Sequence, residues 1–294
     1  MDKHPQAVNV RSEVGVQCAS NCIEQKNFIE YTKVELHGNG VVSLRLNQPD
    51  TLNCLGQKML RSLDAALESC ERSKSARVVI LSASGKHFSA GADIRQLGVL
   101  TDSALTGECG HSLPQILQRF RTLPIPTVAV VQGAAIGGGA ALVACADIVI
   151  AEKSAFFAIP EVRLGIPPAA LIPFLVAALG ERQARRYVLT GERINAEDAT
   201  RHGLVHLICD EGGLEEAAAS VAASLANGGP RSLAEAKRLI GEIGSSELGD
   251  DRLAELEQIA LKHMAAPEAQ EGIAAYLEKR RPVWQFLGDG KGSI

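Results

Sequence analysis

Apolar positions along this chain follow a short period first and a long one later. Val34 to Leu46 alternates around the polar turn His37-Gly-Asn-Gly40, which predicts two short strands. Gln57 to Cys70 places Met59, Leu60, Leu63, Ala66 and Leu67 at helical spacing. The β-branched run within Arg77 to Ser82 predicts a strand. Ser112 to Thr122 predicts a helix stopped by Pro124-Ile-Pro126. Thr127 to Gln132 is a further strand, Ala140 to Cys145 a helix and Ile148 to Ala151 a strand.

Past Leu171 the helical period dominates, over 171–179, 181–189, 196–202, 213–226, 231–243, 250–265 and 268–280. Strand signal survives there only near Leu204 to Ile208. Strands alternating with helices imply βαβ units on a mostly parallel sheet, followed by a helical region. Three parts are expected: a loosely ordered extension over 1–31, an α/β core over 32–225 and a helical region over 226–294. The polar, glycine-bearing stretch from 98 to 112 reads as a mobile loop.

Composition narrows the function classes. The 294 residues carry a net charge of -4, so no basic field invites nucleic acid. No apolar run reaches the roughly 18 residues that cross a bilayer. Met1-Asp-Lys-His-Pro5 lacks the apolar core of a signal peptide, so a cytoplasmic location is expected. The seven cysteines are scattered and read as reduced thiols, several of them packed in the core. Cys18 and Cys22 have no second ligand pair nearby. His202 and His206 straddle Gly203, a helix end, and suit capping or surface exposure better than a metal. Leu277 to Pro282 reads as a solvated helix end whose charge could also meet a phosphate.

Three segments carry candidate chemistry. Lys86 to Ile94 follows a strand with the small residues Ser89, Ala90, Gly91 and Ala92. Gly133 to Asp147 reads as a glycine turn between a strand and a helix, with Gly137-Gly-Gly139 at the helix mouth. Each turn lies at the carboxyl end of a strand, where α/β sheets bind ligands. Two such turns can aim two N–H groups at one oxygen, which is an oxyanion hole in outline. Tight helix–strand packing explains either turn alone equally well. The glycine pattern is neither G-x-G-x-x-G nor a P-loop, and no Gly-x-Ser-x-Gly elbow is present. In the third segment, Glu161 sits between apolar residues and prolines. A carboxylate in such a place has a raised pKa and suits proton transfer, although it could instead pair with Arg163 or cap a turn.

In this order and spacing the segments resemble the enoyl-CoA hydratase/isomerase (crotonase) superfamily, from about residue 32 to 286. The likeness includes Asn47-Gln-Pro49, Leu52-Asn53, Phe88 to Asp93, Gly137-Gly-Gly139 with Asp147, Pro160-Glu161 and Leu164-Gly165. Leu189 to Ile194 and Ala199 with Gly203-Leu-Val205 extend it. The resemblance implies a crotonase-like α/β spiral of βαβ units and a C-terminal helical trimerisation region, assembled as a homotrimer or a dimer of trimers. It implies an acyl-CoA thioester substrate, with no metal and no cofactor beyond the coenzyme A of that substrate.

By the same resemblance, the backbone N–H groups of Ala90 and Gly138 would hold the thioester oxygen, and Glu161 would be the acid–base group. Ser89, Gly91, Ala92, Asp93, Ile94, Gly137, Ala141 and Ala169 would surround the substrate. Two-carboxylate hydratases carry a second Glu where this chain has Ala141. With one Glu, the favoured expectation is hydration of an enoyl-CoA, in which Glu161 activates water and delivers the α-proton. Double-bond isomerisation, decarboxylation and a non-catalytic acyl-CoA-binding subunit are the other readings.

Overall fold

Strand β5 (Thr127–Val131) is buried at every residue, and its side chains still divide by the two-residue period of a strand. Val128 and Val130 face one layer, whereas Ala129 and Val131 face the other. A central parallel strand covered on both faces reads as one apolar run for this reason. The computed structural model describes residues 27–29, 31–93, 112–243 and 249–287. Cys18, Cys22, Ile94 and the loop read over 98–111 lie outside the described residues.

A seven-stranded sheet is built in the order β1 (Asn27–Ile29), β2 (Thr32–Leu36), β3 (Val41–Leu46), β4 (Val78–Ala83), β5, β7 (Ile148–Glu152) and β10 (Leu207–Cys209). The β1–β2 and β2–β3 pairs are antiparallel, and every pair from β3 to β10 is parallel. A smaller sheet joins β6 (Ala134–Ile136), β8 (Phe156–Ala158) and β9 (Arg193–Asn195).

One face of the large sheet carries α1 (Gln57–Arg72), α2 (Leu113–Thr122) and α3 (Gly138–Ala144). Helix α1 buries Met59, Leu60, Leu63, Ala66, Leu67 and Cys70, the stripe its sequence spacing predicts. Burying each Leu contributes about 1.5–3 kcal/mol before entropy is charged against it. Helix α2 starts from a capping box: Ser112 N–H donates to Gln115 Oε1 at 3.1 Å. The other face is covered by α6 (Leu214–Ala226) through Ala218 and Ala222.

Helix α4 (Ile172–Thr190) is interrupted at Gly180, where φ is 72° and ψ 156°, so it consists of two helical segments, as the separate periods over 171–179 and 181–189 predict. Helices α5 (Ala196–Arg201), α7 (Pro230–Ile243), α8 (Asp250–Met264) and α9 (Pro267–Leu277) complete the described helices.

Several expectations need correction. Residues 27–29 form the edge strand β1 rather than belonging to a loose extension. The glycine turn is not a simple strand–turn–helix, because β6 lies between β5 and α3. Strands β6, β8 and β9 have three residues each, too few to display a period.

None of the four cysteines within the described residues forms a disulfide. Burial pushes the Cys70 and Cys145 thiols up to about 12, as inert core thiols require. His202 caps α5, and His206 Nδ1 accepts the Val149 N–H at 3.0 Å. At the helix end near residue 280, the Arg280 guanidinium pairs with Glu271 at 2.6 Å.

Candidate active site

The two strand-end turns are tied together by backbone hydrogen bonds. Phe88 N–H donates to Gln132 O at 3.0 Å, Ser89 N–H to Ala134 O at 3.0 Å, and Ile136 N–H to Ser89 O at 2.9 Å. Ser89 thus pairs with Ala135 in parallel and extends the small sheet. Side chains are excluded where the turns meet. A Cβ on Gly91, whose φ is +82°, would stand 2.5 Å from Ile136 O and 3.4 Å from the Gly138 nitrogen. A Cβ on Gly139 would stand 2.8 Å from Ser89 Cβ. Glycine is required for this approach as well as for the turn.

Gly138 opens α3, so its N–H has no acceptor within the helix. Among the described residues it makes no other hydrogen bond, and the Ala92 N–H makes none. The structure corrects the expected first donor. The Ala90 N–H is used by the fold: it donates to Leu52 O at 2.9 Å. Ala92, two residues on and past the positive-φ Gly91, offers the free donor on this turn. No sequence signal separates these two alanines, because the choice depends on the left-handed backbone of Leu52, with φ 54° and ψ 35°.

Glu161 begins a short 3₁₀ turn, Glu161–Leu164, directly after β8 and Pro160. Its carboxyl lies against Gly137: a Cβ there would overlap Oε1 and stand 3.2 Å from Cδ. Oε2 is buried without a hydrogen-bond partner. Burial raises the Glu161 pKa above the ordinary carboxylate range, and its own backbone N–H offsets this in part. The alternative pairing with Arg163 is not formed: that guanidinium donates to Thr190 O at 3.1 Å. Leu55 and Leu113 supply an apolar wall, since a Cβ on Gly138 would meet Leu55 Cδ1 at 3.2 Å and Leu113 Cδ2 at 2.8 Å.

The remaining expected residues divide. Gly91 and Gly137 are buried backbone of the turns, and Ala92 and Asp93 are partly exposed beside them. Ser89 and Ala141 have no exposed surface, so both belong to the framework rather than to a ligand-contacting wall. Ala169 is exposed in the loop ahead of α4. Asn53 is a residue that sequence reasoning left without a role. Its side chain is fully buried and holds the backbone of the first turn.

Two N–H groups without acceptors among the described residues, on facing turns, with a desolvated carboxyl against the neighbouring Gly137, form a site that can hold a developing oxyanion and move a proton. The chain belongs to the enoyl-CoA hydratase/isomerase family, whose model matches residues 37–286. It has the crotonase fold. It is 32% identical to an enoyl-CoA hydratase of Shewanella pealeana, whose crystal structure superposes with a TM-score of 0.82 over 88% of this chain and 97% of that one. It is 31% identical over 243 residues to 2,3-dehydroadipyl-CoA hydratase of Escherichia coli, covering 82% of this chain and 94% of the relative. The human mitochondrial enoyl-CoA hydratase domain-containing protein 3 is 30% identical over 253 residues, 84% of this chain and 81% of the relative.

Proposed function

We propose that the protein hydrates the 2,3 double bond of an enoyl-CoA thioester, with Glu161 as its single acid–base group. The observation that carries this reading is the buried Glu161 Oε2, without a hydrogen-bond partner, against Gly137, the residue before the Gly138 donor. The thioester oxygen accepts hydrogen bonds from the Ala92 and Gly138 N–H groups. The Glu161 carboxylate takes a proton from water as the water oxygen bonds to C3. The C2–C3 π electrons move onto the thioester as an enolate, which the two donors stabilise. The protonated Glu161 then returns its proton to C2, giving the 3-hydroxyacyl thioester. One oxyanion-hole donor is worth on the order of 10²–10³ in rate. The mechanism requires no metal, because backbone donors polarise the carbonyl.

Ala141 favours one second reading. It leaves helix α3 without a carboxylate to hold water, and a lone Glu can shuttle a proton between C2 and C4 in double-bond isomerisation. Absorbance of the conjugated enoyl thioester separates the two. Loss from crotonyl-CoA is expected for hydration, and gain from a 3-enoyl-CoA for isomerisation. Glu161→Gln should lower the active reaction by about 10²–10⁴-fold. A variant equal to wild type on every enoyl-CoA would defeat both readings.

We also propose that the chain assembles with copies of itself through its helical region. Supporting this, Ile240, Met264, Tyr276 and Leu277 of α7–α9 are exposed, and Tyr276 reaches 84%. Light scattering after gel filtration is expected to give a trimer or hexamer, and a monomer at micromolar concentration would refute it.

A further inference from the structure

The Ala92 donor stands at the end of a turn held on one side by β6 and on the other by a second segment, Leu52 to Leu55. Leu52 and Asn53 both adopt left-handed backbone, with φ of 54° and 53°. Such strain at two successive non-glycine residues persists only where the surroundings enforce it. Here it turns both carbonyls toward the hole turn. Leu52 O accepts the Ala90 N–H at 2.9 Å, and Asn53 O accepts the Ser89 Oγ–H at 2.8 Å. The same Ser89 Oγ accepts the Gly91 N–H at 3.2 Å, and Leu55 N–H donates to Gly91 O at 2.8 Å.

The Asn53 side chain secures the start of the turn. Nδ2 donates to Ser84 O at 2.9 Å and to His87 O at 3.0 Å, while Oδ1 accepts the Gln48 N–H at 2.8 Å. Both amide protons and one oxygen lone pair are therefore engaged. From Ser84 to Gly91 this network anchors the chain on both sides of Ser89, and the next N–H, that of Ala92, has no acceptor among the described residues.

We propose that Asn53 and Ser89 are positioning residues for catalysis: they fix the Ala92 N–H where the thioester oxygen must bind. Neither touches the substrate, since both are fully buried. The proposal rests on the reading of Ala92 and Gly138 as the oxyanion donors. A prealigned donor avoids reorganisation during the reaction, so the network acts on the transition state more than on ground-state affinity.

The test compares wild type, Asn53→Ala, Ser89→Ala and Leu67→Ala. Leu67 is a buried residue of α1 and serves as a control for lost stability alone. Each protein is saturated with 2,4-hexadienoyl-CoA, whose absorbance moves to longer wavelength when donors polarise its carbonyl. Melting temperature, ligand Kd, and kcat and KM on crotonyl-CoA are measured alongside. For Asn53→Ala and Ser89→Ala, we expect the red shift to fall by half or more. Their kcat should fall roughly 10–100-fold. Kd and KM should stay within about threefold of wild type, because the lost interaction is one made chiefly in the transition state. Leu67→Ala should melt earlier yet keep the wild-type shift and kcat.

Wild-type shift and kcat in both positioning variants would overturn the proposal. Should Asn53→Ala fail to fold, Ser89→Ala decides by the same criterion. A wild-type protein that binds the probe without shifting it refutes the oxyanion hole, and the proposal with it. A wild-type protein that shifts the probe but turns nothing over refutes hydration alone, and the shifts in the variants still decide the positioning role.

Discussion

The Glu161 carboxyl rests on the Cα of Gly137, with no room for a side chain between them. Gly137 adopts φ 54° and ψ -118°, and its N–H donates to Ala158 O at 2.8 Å. One residue therefore joins the small sheet, the hole turn and the carboxylate. Gly137→Ala would strain the backbone by about 1–3 kcal/mol and push Glu161 aside. We expect kcat on the active enoyl-CoA to fall by about 10²-fold or more, because even a 1 Å displacement of a reacting group carries that cost. Steady-state kinetics on folded protein, verified by circular dichroism, checks this.

Glu161 should also make stability depend on pH. Its folded-state pKa lies above its unfolded value because burial disfavours the carboxylate. The folded state therefore holds the proton more tightly, and stability falls as pH rises from the ordinary carboxylate value through the raised one. Glu161→Gln cannot ionise. It should melt higher than wild type at pH 7–8, with the difference shrinking as pH falls through the raised value and gone below about 4.5, where both states of wild type are protonated. Melting curves of the two proteins across pH 4–8 test this, and parallel curves would show that the carboxyl is not desolvated.

Much of this site was legible in the sequence because its chemistry depends on residue type. Glu161 stands out as an acid among prolines and apolar residues, and Gly137-Gly-Gly139 as a turn without side chains. The helical stripe of α1 is long enough to display its period, and β5 is legible as a continuous β-branched apolar run. What was hidden depends on backbone geometry far along the chain. Ala90 and Ala92 look alike until Leu52, 38 residues before Ala90, takes the N–H of the former. Asn53 belonged to the family likeness with no role of its own, and only its contacts to Ser84 and His87 show what it holds.

A histidine sets a second pH response. His206 Nδ1 accepts the Val149 N–H at 3.0 Å, which requires a neutral ring with a lone pair on that nitrogen. Desolvation lowers its pKa below 6.5. A depressed histidine contributes stability above its unfolded pKa, and that stability is lost as pH falls through the folded value. Wild type should therefore lose melting temperature below about pH 6.5, and His206→Gln should show a flatter profile over the same range. Hydrogen exchange at the Val149 amide gives a local readout, with protection dropping in wild type as the pH is lowered.

The helical region is fixed to the sheet by a charge pair at the end opposite the hole. Lys237 Nζ of α7 lies 2.7 Å from Asp147 Oδ2 and donates to Ile125 O at 3.2 Å. Asp147 Oδ2 also accepts the Thr127 N–H at 2.7 Å and its hydroxyl at 2.9 Å, so the carboxylate links β5, the start of β7 and α7. The lysine is nearly covered, whereas Asp147 keeps about a third of its exposure, so the pair lies between a surface bridge and a buried one. Lys237→Met retains the aliphatic stem but strands the acid, and should cost about 1–3 kcal/mol in urea unfolding, less than a fully buried pair because water screens the acid. Adding Asp147→Asn should recover part of that loss, giving a coupling energy of about 1 kcal/mol in the double-mutant cycle. The carboxyl ends of β4 and β5 carry the hole turns, whereas Asp147 meets β5 at its first residue. Activity per folded molecule should therefore stay within about twofold of wild type, since contacts this far from the reacting atoms add nothing specific to the transition state. A large fall in kcat without a change in stability would show instead that α7 reports to the site.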